Sequence, residues 1–342
     1  MTPFEKARAV LHVGCTPDYL PCRDEEYAEV EAYLEDAIDE GVGSCIYIAG
    51  VPGTGKTATV RSVISSLQQR ANDKEIKPFR FLEINGMKIT DPAQSFTILW
   101  EFISGHRSSA KQALSSLESH FKTPSPNRDT CVVLVDELDQ LVTKKQEVIY
   151  NFFNWPNQPH SRLIVLAIAN TMDLPERELS NKINSRLGSN RINFTPYDKN
   201  QLIEILTNRL EGLQSTSTTG GNNGVFGKDA IGLVASKVAG VTGDARRALD
   251  ICRRAVEKVE AENMARLAEG KEARLVNAGD IVAVHKEMTS SGLLLYVKRA
   301  GLHQRIMLLA LSRAIRKLGV ADEVEFGDVS WPFCYLLQSC LY

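Results

Sequence analysis

The chain has 342 residues, 43% of them hydrophobic and 24% charged, and a formal net charge of −2 at pH 7. That length admits two or three domains, and the small net charge leaves any nucleic-acid contact to a local patch. No apolar run approaches the roughly 18 residues of a membrane helix, and the opening MTPFEKARAVLHVGC lacks the apolar core of a secretion signal. No membrane partner is therefore expected.

The elements follow in chain order. A helix is expected over 24–40, then a strand at SCIYIAG (44–50), a helix over 57–70 and a strand at RFLEI (80–84). Helices over 93–104 and 108–121 precede the strand CVVLVD (131–136). A helix over 145–153, the strand RLIVLAIAN (162–170) and a fifth strand, RINF (191–194), complete this half. The strands are short, rich in Val, Ile and Leu, and mostly apolar, as strands covered on both faces of a parallel sheet are. Their alternation with helices predicts an α/β fold, a doubly wound sheet between helical layers. Beyond FTPYDKNQL (194–202) the strand signal stops. Helical periodicity covers 198–213, 228–239, 243–266 and 278–289, broken by STSTTGGNNG (215–224), whose composition predicts a disordered surface loop. A further helix begins near 298.

The seven cysteines form no C-x-x-C pair, and the six histidines show no metal-ligand spacing. Buried, reduced thiols are expected, with Cys45 and Cys131 inside strands, rather than a disulfide or zinc framework.

GVPGTGKT (50–57) matches G-x-x-x-x-G-K-[ST] in the required setting, after a strand and before a helix. The glycines let backbone N–H groups turn toward phosphates, and the helix near Thr57 aims its positive end at the same place. Lys56 is expected to reach the β/γ-phosphates, and the Thr57 hydroxyl to ligate Mg2+. In VVLVDELD (132–139), Asp136 ends a strand at the sheet edge where ligands bind, and is a second Mg2+ candidate. Glu137 is placed as the general base for a water. Asp139 reads either as a helix-start residue or as a functional acid. Asn170, closing an apolar strand, is a candidate to position the attacking water. Arg186 and Arg246 are candidates to neutralise γ-phosphate charge; each alone could equally be a surface charge.

The order of P-loop, Asp-Glu, strand-terminal Asn, Arg and a later Arg in a helical region resembles an AAA+ ATPase. LPCRDEEYAEVEAYL (20–34), VVLVDELDQL, AIANTMDLPER (167–177), SRLGSNRINFTPY (185–197) and GDARRALDICRRA (243–255) narrow the likeness to the initiator clade. Within it the chain resembles the largest-subunit family, subunit one, of the eukaryotic origin recognition complex, over roughly residues 4–329. The related cell-division-cycle-type helicase loaders are the runner-up.

The resemblance implies an ATPase that binds ATP and Mg2+ through Gly50, Val51, Pro52, Gly53, Thr54, Gly55, Lys56, Thr57 and Ala58. It makes Asp136 and Glu137 the Walker B pair, Asn170 sensor 1 and Arg246 sensor 2. Arg186 becomes an arginine finger acting in trans on a neighbouring protomer's nucleotide. Leu20, Pro21, Arg23 and Tyr197 fall where the family lines its adenine pocket. The implied domains are a nucleotide-binding domain over 1–195 with a DNA-touching helical insertion near 93–121, a helical lid over 196–290, and a partial winged-helix region over 291–342. The implied partners are other origin recognition complex subunits in a hetero-oligomeric ring, double-stranded DNA, the helicase loader and the replicative helicase, in the nucleus. A nucleotide-stabilised scaffold with little hydrolysis is the reading from a different functional class.

From Tyr296 to Val320 there are six Lys or Arg and no acid, a stripe that could either neutralise DNA phosphates or simply be solvated. The tail SWPFCYLLQSCLY departs from the family. It is expected to leave large apolar side chains unpacked, as a winged helix from a truncated or mis-spliced product, or from an incomplete gene model, would.

Overall fold

The computed structural model describes residues 2–12, 14, 20–125, 128–143, 146–171, 174–175, 190–211, 225–268, 270, 271–289, 296–297, 299–318, 327, 329–330 and 333–334. These form two compact units, residues 1–281 and 282–342.

The first unit is built on five parallel strands: β1 (Ser44–Gly50), β2 (Phe79–Asn85), β3 (Thr130–Asp136), β4 (Leu163–Ala169) and β5 (Arg191–Phe194). They lie in the order β2-β3-β4-β1-β5. Alternate residues of each strand serve opposite cores. Tyr47, Ala49, Val133, Val135, Val165 and Ala167 pack with α4 (Gln94–Ser104), α5 (Ala110–Lys122) and α6 (Glu147–Asn154). Ile46, Ile48, Val132, Leu134, Ile164 and Leu166 pack with α2 (Asp24–Glu40) and α3 (Lys56–Asn72). Both strand faces are apolar because both are covered, each large aliphatic side chain contributing about 1.5–3 kcal/mol on burial.

A helical layer follows: α7 (Lys199–Glu211), α8 (Lys228–Ala239), α9 (Ala245–Ala268) and α10 (Ala278–Thr289). The buried stripe of α9, Ala248, Ile251, Cys252, Ala255, Val256 and Val259, has the three- and four-residue spacing of one helix face. Against α7 and α9 lies α1 (Pro3–Val10), absent from the sequence-based expectations. Its start is a capping box: Glu5 N donates to Thr2 Oγ1 at 3.1 Å, and Thr2 N to Glu5 Oε2 at 2.8 Å. Ala7 and Leu11 are fully buried, and Arg209 donates to the Val10 carbonyl at 3.3 Å.

Cys45 and Cys131 are buried in strands as expected, and burial pushes both thiols up to about 12. The expected loop at 215–224 lies outside the described residues. In the second unit, α11 (Leu302–Leu318) packs Ala310 and Ala314 against Val329, with Met307 and Phe333 alongside. In the tail expected to find no packing, Phe333 is partly buried against this helix, while apart from Ser330 and Cys334 the rest of that tail lies outside the described residues. Arg299, Arg305 and Arg313 of the basic stripe are exposed. The side chains of Lys298, Arg316 and Lys317 lie outside the described residues.

Candidate functional site

Because the strands run parallel, Gly50, Asp136 and Asn170 emerge at one sheet edge, at the ends of β1, β3 and β4. The loop from Gly50 to Gly55 crosses this edge and enters α3. Gly53 and Gly55 take φ of 80° and 91°, a region that glycine occupies without a Cβ clash. At Gly53 a Cβ would stand 1.6 Å from Asp244 Oδ1, and the Gly53 carbonyl accepts from Ala245 N at 3.2 Å. Glycine there lets the loop meet the first turn of α9.

Lys56, only 7% exposed, donates through Nζ to the carbonyls of Gly50 (2.6 Å) and Val51 (3.1 Å). Burial holds its pKa below the ordinary lysine value. The charge of Arg246 adds to this, and Glu137, Asp136 and Asp139 oppose it. Asp136, also buried, accepts from Thr57 Oγ1 at 3.2 Å, Asn85 Nδ2 at 3.4 Å and Glu137 N at 3.1 Å. Desolvation raises its pKa, and the bond from Thr57 works against that rise.

Glu137 sits at φ 55° and ψ 52°, a left-handed conformation that costs a non-glycine residue about 1–3 kcal/mol. Its carboxylate accepts from Asn170 Nδ2 at 2.7 Å. The same amide nitrogen donates to Asp139 Oδ2 at 2.9 Å, and the Asn170 backbone N–H reaches that oxygen at 3.0 Å. Asp139 therefore lies in a short helical turn and holds Asn170 in place.

A cavity of about 750 Å³ lies over these groups. Leu20, Pro21 and Tyr197 line it on one side, Gly53, Gly55, Thr57 and Ala58 beneath, Asp136 and Glu137 at its acidic end, and Arg246 from α9. Gly50, Val51, Pro52, Thr54, Lys56 and Asn170 shape the site without lining that cavity. Arg23 is also placed behind the lining. It is 2% exposed, donates through Nε to the Thr54 carbonyl at 3.1 Å, pairs with Glu26, and stacks 4.1 Å from the Tyr197 ring centre. It braces the loop and the aromatic wall from beneath. Arg186 lies outside the described residues.

Sequence reasoning missed Asn85 and Asp244. Asn85 ends β2 beside Asp136, a position the parallel register gives once β2 and β3 are paired. Asp244 accepts from the backbone N–H of Arg246 at 2.8 Å, which opens α9 toward the site. The signal was the helix-starting Asp in GDARR.

A glycine-rich phosphate loop, an Asp-Glu pair at the adjoining strand end and an arginine from a helical layer define a P-loop ATPase core with a helical lid. Residues 46–191 match the ATPase family associated with various cellular activities (AAA), and residues 197–263 the Cdc6/ORC-like ATPase lid domain. The chain is 49% identical over 325 residues to Origin recognition complex subunit 1 of Schizosaccharomyces pombe, covering 95% of this chain and 44% of the relative. It is 43% identical over 326 residues to the Cricetulus griseus protein of that name, covering 95% and 37% respectively. A solved structure of Drosophila ORC bound to DNA superposes with a TM-score of 0.76 at 39% identity, covering 99% of this chain and 79% of that one. The chain belongs to the AAA ATPases, in the origin recognition complex subunit 1 family. It spans less than half the length of these curated relatives.

Proposed function

We propose that this chain is the ATP-binding and ATP-hydrolysing core of an origin recognition complex subunit. In that reading it acts in the nucleus within a hetero-oligomeric ring, holds double-stranded origin DNA with its fellow subunits, and helps the helicase loader place the replicative helicase. The observation that carries the ATPase reading is the connected set Thr57–Asp136–Glu137–Asn170–Asp139 at the acidic end of a cavity overlooked by Arg246. The relatives' names and the DNA-bound Drosophila assembly support the replication reading.

The proposed division is nucleotide-binding domain 1–195, lid 196–290 and a winged-helix region 291–342. The Thr57 hydroxyl and the Asp136 carboxylate, 3.2 Å apart, offer the hard oxygen donors Mg2+ prefers and would hold it. When bound, the ion supplies positive charge to the phosphate oxygens. Lys56 adds a second cation from beneath the loop. Glu137 accepts a proton from water, and Asn170 fixes that carboxylate by its amide. Arg246 contributes charge from the lid. Arg186 is assigned from its sequence position to a neighbouring protomer's nucleotide.

Asp139 acts through Asn170. Asp139→Ala is expected to lower turnover by about tenfold, the lower range for losing one positioning contact, with ATP affinity nearly unchanged. Steady-state hydrolysis and equilibrium ATP binding measured side by side check this. The wider proposal is tested by assembling the chain with its fellow subunits and measuring DNA retention. The expected result is ATP-dependent, salt-sensitive retention that ADP does not support. A chain that joins no ring and retains no DNA with ATP overturns it.

A further inference from the structure

At the opposite sheet edge, where β2, β3 and β4 begin, three arginines stand side by side. Arg80 is the second residue of β2, Arg128 precedes β3 and Arg162 precedes β4, and these strands are neighbours in the sheet. All three line a cavity of about 180 Å³, together with His120 and Ser125. Among the described residues none of the three forms an ion pair with a carboxylate. Asp129 also lines the cavity, and among the described residues it forms no ion pair.

Arg128 is the unusual member. It is 9% exposed, and its guanidinium donates to the carbonyls of His120, Thr123 (2.9 Å) and His160. Its buried Nε has no hydrogen-bond partner. A guanidinium so deeply buried usually has an anion beside it. Desolvation holds its pKa below the ordinary arginine value, with Arg162 adding to the effect. Arg162 donates to the Arg128 carbonyl at 2.7 Å. Arg80 stacks 4.3 Å from the Phe102 ring centre and donates to the Phe102 carbonyl. Each cation is thus held in place by backbone or aromatic contacts rather than, among the described residues, by a carboxylate ion pair. The cavity is too small for a nucleotide and large enough for one tetrahedral phosphate group.

Ser125 stands at its rim, exposed, two residues after the Thr123 carbonyl that Arg128 holds. In the sequence KTPSPNRD (122–129) it is followed directly by proline. Ser-Pro is the order that proline-directed kinases act on, and a phosphoserine carries three acceptor oxygens suited to an arginine cluster.

We infer that Ser125 is a phosphorylation site, and that the Arg80–Arg128–Arg162 cavity is the dock for its phosphate. A proline-directed kinase transfers the γ-phosphoryl group of a nucleoside triphosphate to Ser125 Oγ. The new O–P bond forms as the bond from phosphorus to the β,γ-bridging oxygen breaks, the hydroxyl proton passes to the kinase's base, and the nucleoside diphosphate leaves. The docked phosphate then ties the segment after α5 to the starts of β2, β3 and β4. His120, whose pKa is lowered by burial and by Arg128, adds little positive charge near neutral pH, and the Cys131 thiol, pushed up to about 12, stays neutral.

The test uses the full chain, a purified proline-directed kinase and ATP, with mass spectrometry to locate the phosphate and phosphorus NMR to titrate it. The expected result is modification of Ser125, abolished in Ser125→Ala. The second pKa of the phosphoserine should fall by about one unit below its ordinary value near 6. In the double variant Arg80→Gln, Arg162→Gln, the phosphoserine should titrate near 6 at unchanged stoichiometry. These two residues are chosen because Arg80 is exposed, Arg162 is only partly buried and Arg128 is left intact. A wild-type phosphoserine with an ordinary pKa overturns the dock, and failure of the kinase to modify Ser125 in the folded chain overturns the site. Millimolar inorganic phosphate added to Ser125→Ala is expected to leave its thermal midpoint unchanged. A rise that disappears when Arg80 and Arg162 are also replaced by Gln would assign the cavity to a free oxyanion and overturn Ser125 as the source.

Discussion

Glu137→Gln is expected to lower ATP turnover in the assembled ring by about 10²-fold or more, the range a positioned general base contributes, with ATP affinity nearly unchanged. The geometry makes this substitution a clean one. The glutamine carbonyl can still accept from Asn170 Nδ2, which now reaches the Glu137 carboxylate at 2.7 Å. The left-handed backbone at this position is tolerated equally by both side chains. What the amide lacks is the capacity to take a proton from water. Single-turnover hydrolysis and fluorescent-nucleotide binding, measured on the same preparations, separate the two effects. Equal turnover in wild type and variant would remove Glu137 from the base role. Loss of binding in parallel with turnover would mean that it supports the loop instead.

The helix and strand spans of the first unit were largely legible because each carried its own period. β1, β3 and β4 read as continuous apolar runs, and the reason is visible in three dimensions: Ile46 and Tyr47, or Val132 and Val133, enter different cores on opposite faces. The P-loop and Asp136 were legible because their spacing and strand setting are local. Other features depend on juxtapositions that spacing does not encode. Asp139 lies two residues from Glu137, but its task appears only once β4 brings Asn170 beside it. Gly53 looks like any loop glycine until Asp244, distant in sequence, is found where its Cβ would be. Arg23 was placed by resemblance at the adenine pocket. Its stacking beneath Tyr197 depends on β5 ending next to the P-loop, a fact of strand order. The helix α1 was missed for a different reason. Eight residues give too short a period to read, and the better signal was the Thr2–Glu5 capping box.

Lys56→Met is expected to weaken ATP binding by about 100-fold, a loss of roughly 2.7 kcal/mol, without lowering the thermal midpoint of the nucleotide-free chain. Lys56 is buried, and among the described residues it forms no ion pair with a carboxylate; its contacts are the Gly50 and Val51 carbonyls. Burial depresses its folded-state pKa, so the charged form is disfavoured in the fold relative to the unfolded chain. The sign follows from proton counting. Below the depressed folded pKa the full penalty is present, and it is relieved as pH rises toward the ordinary lysine value. At neutral pH the ammonium is therefore a cost that methionine removes, while methionine keeps most of the aliphatic stem. The two carbonyls left without this donor offset part of the gain, at about 1 kcal/mol each. A bound triphosphate reverses the balance by placing anionic oxygens beside the buried charge. Thermal scans with and without ATP distinguish these terms: ATP at about 100 times its Kd should stabilise the wild type by about 2.7 kcal/mol and the variant far less. Equal protection of both chains would show that Lys56 does not engage the phosphates. A marked fall in the nucleotide-free midpoint of the variant would show that the two carbonyl bonds outweigh the cost of burying the charge.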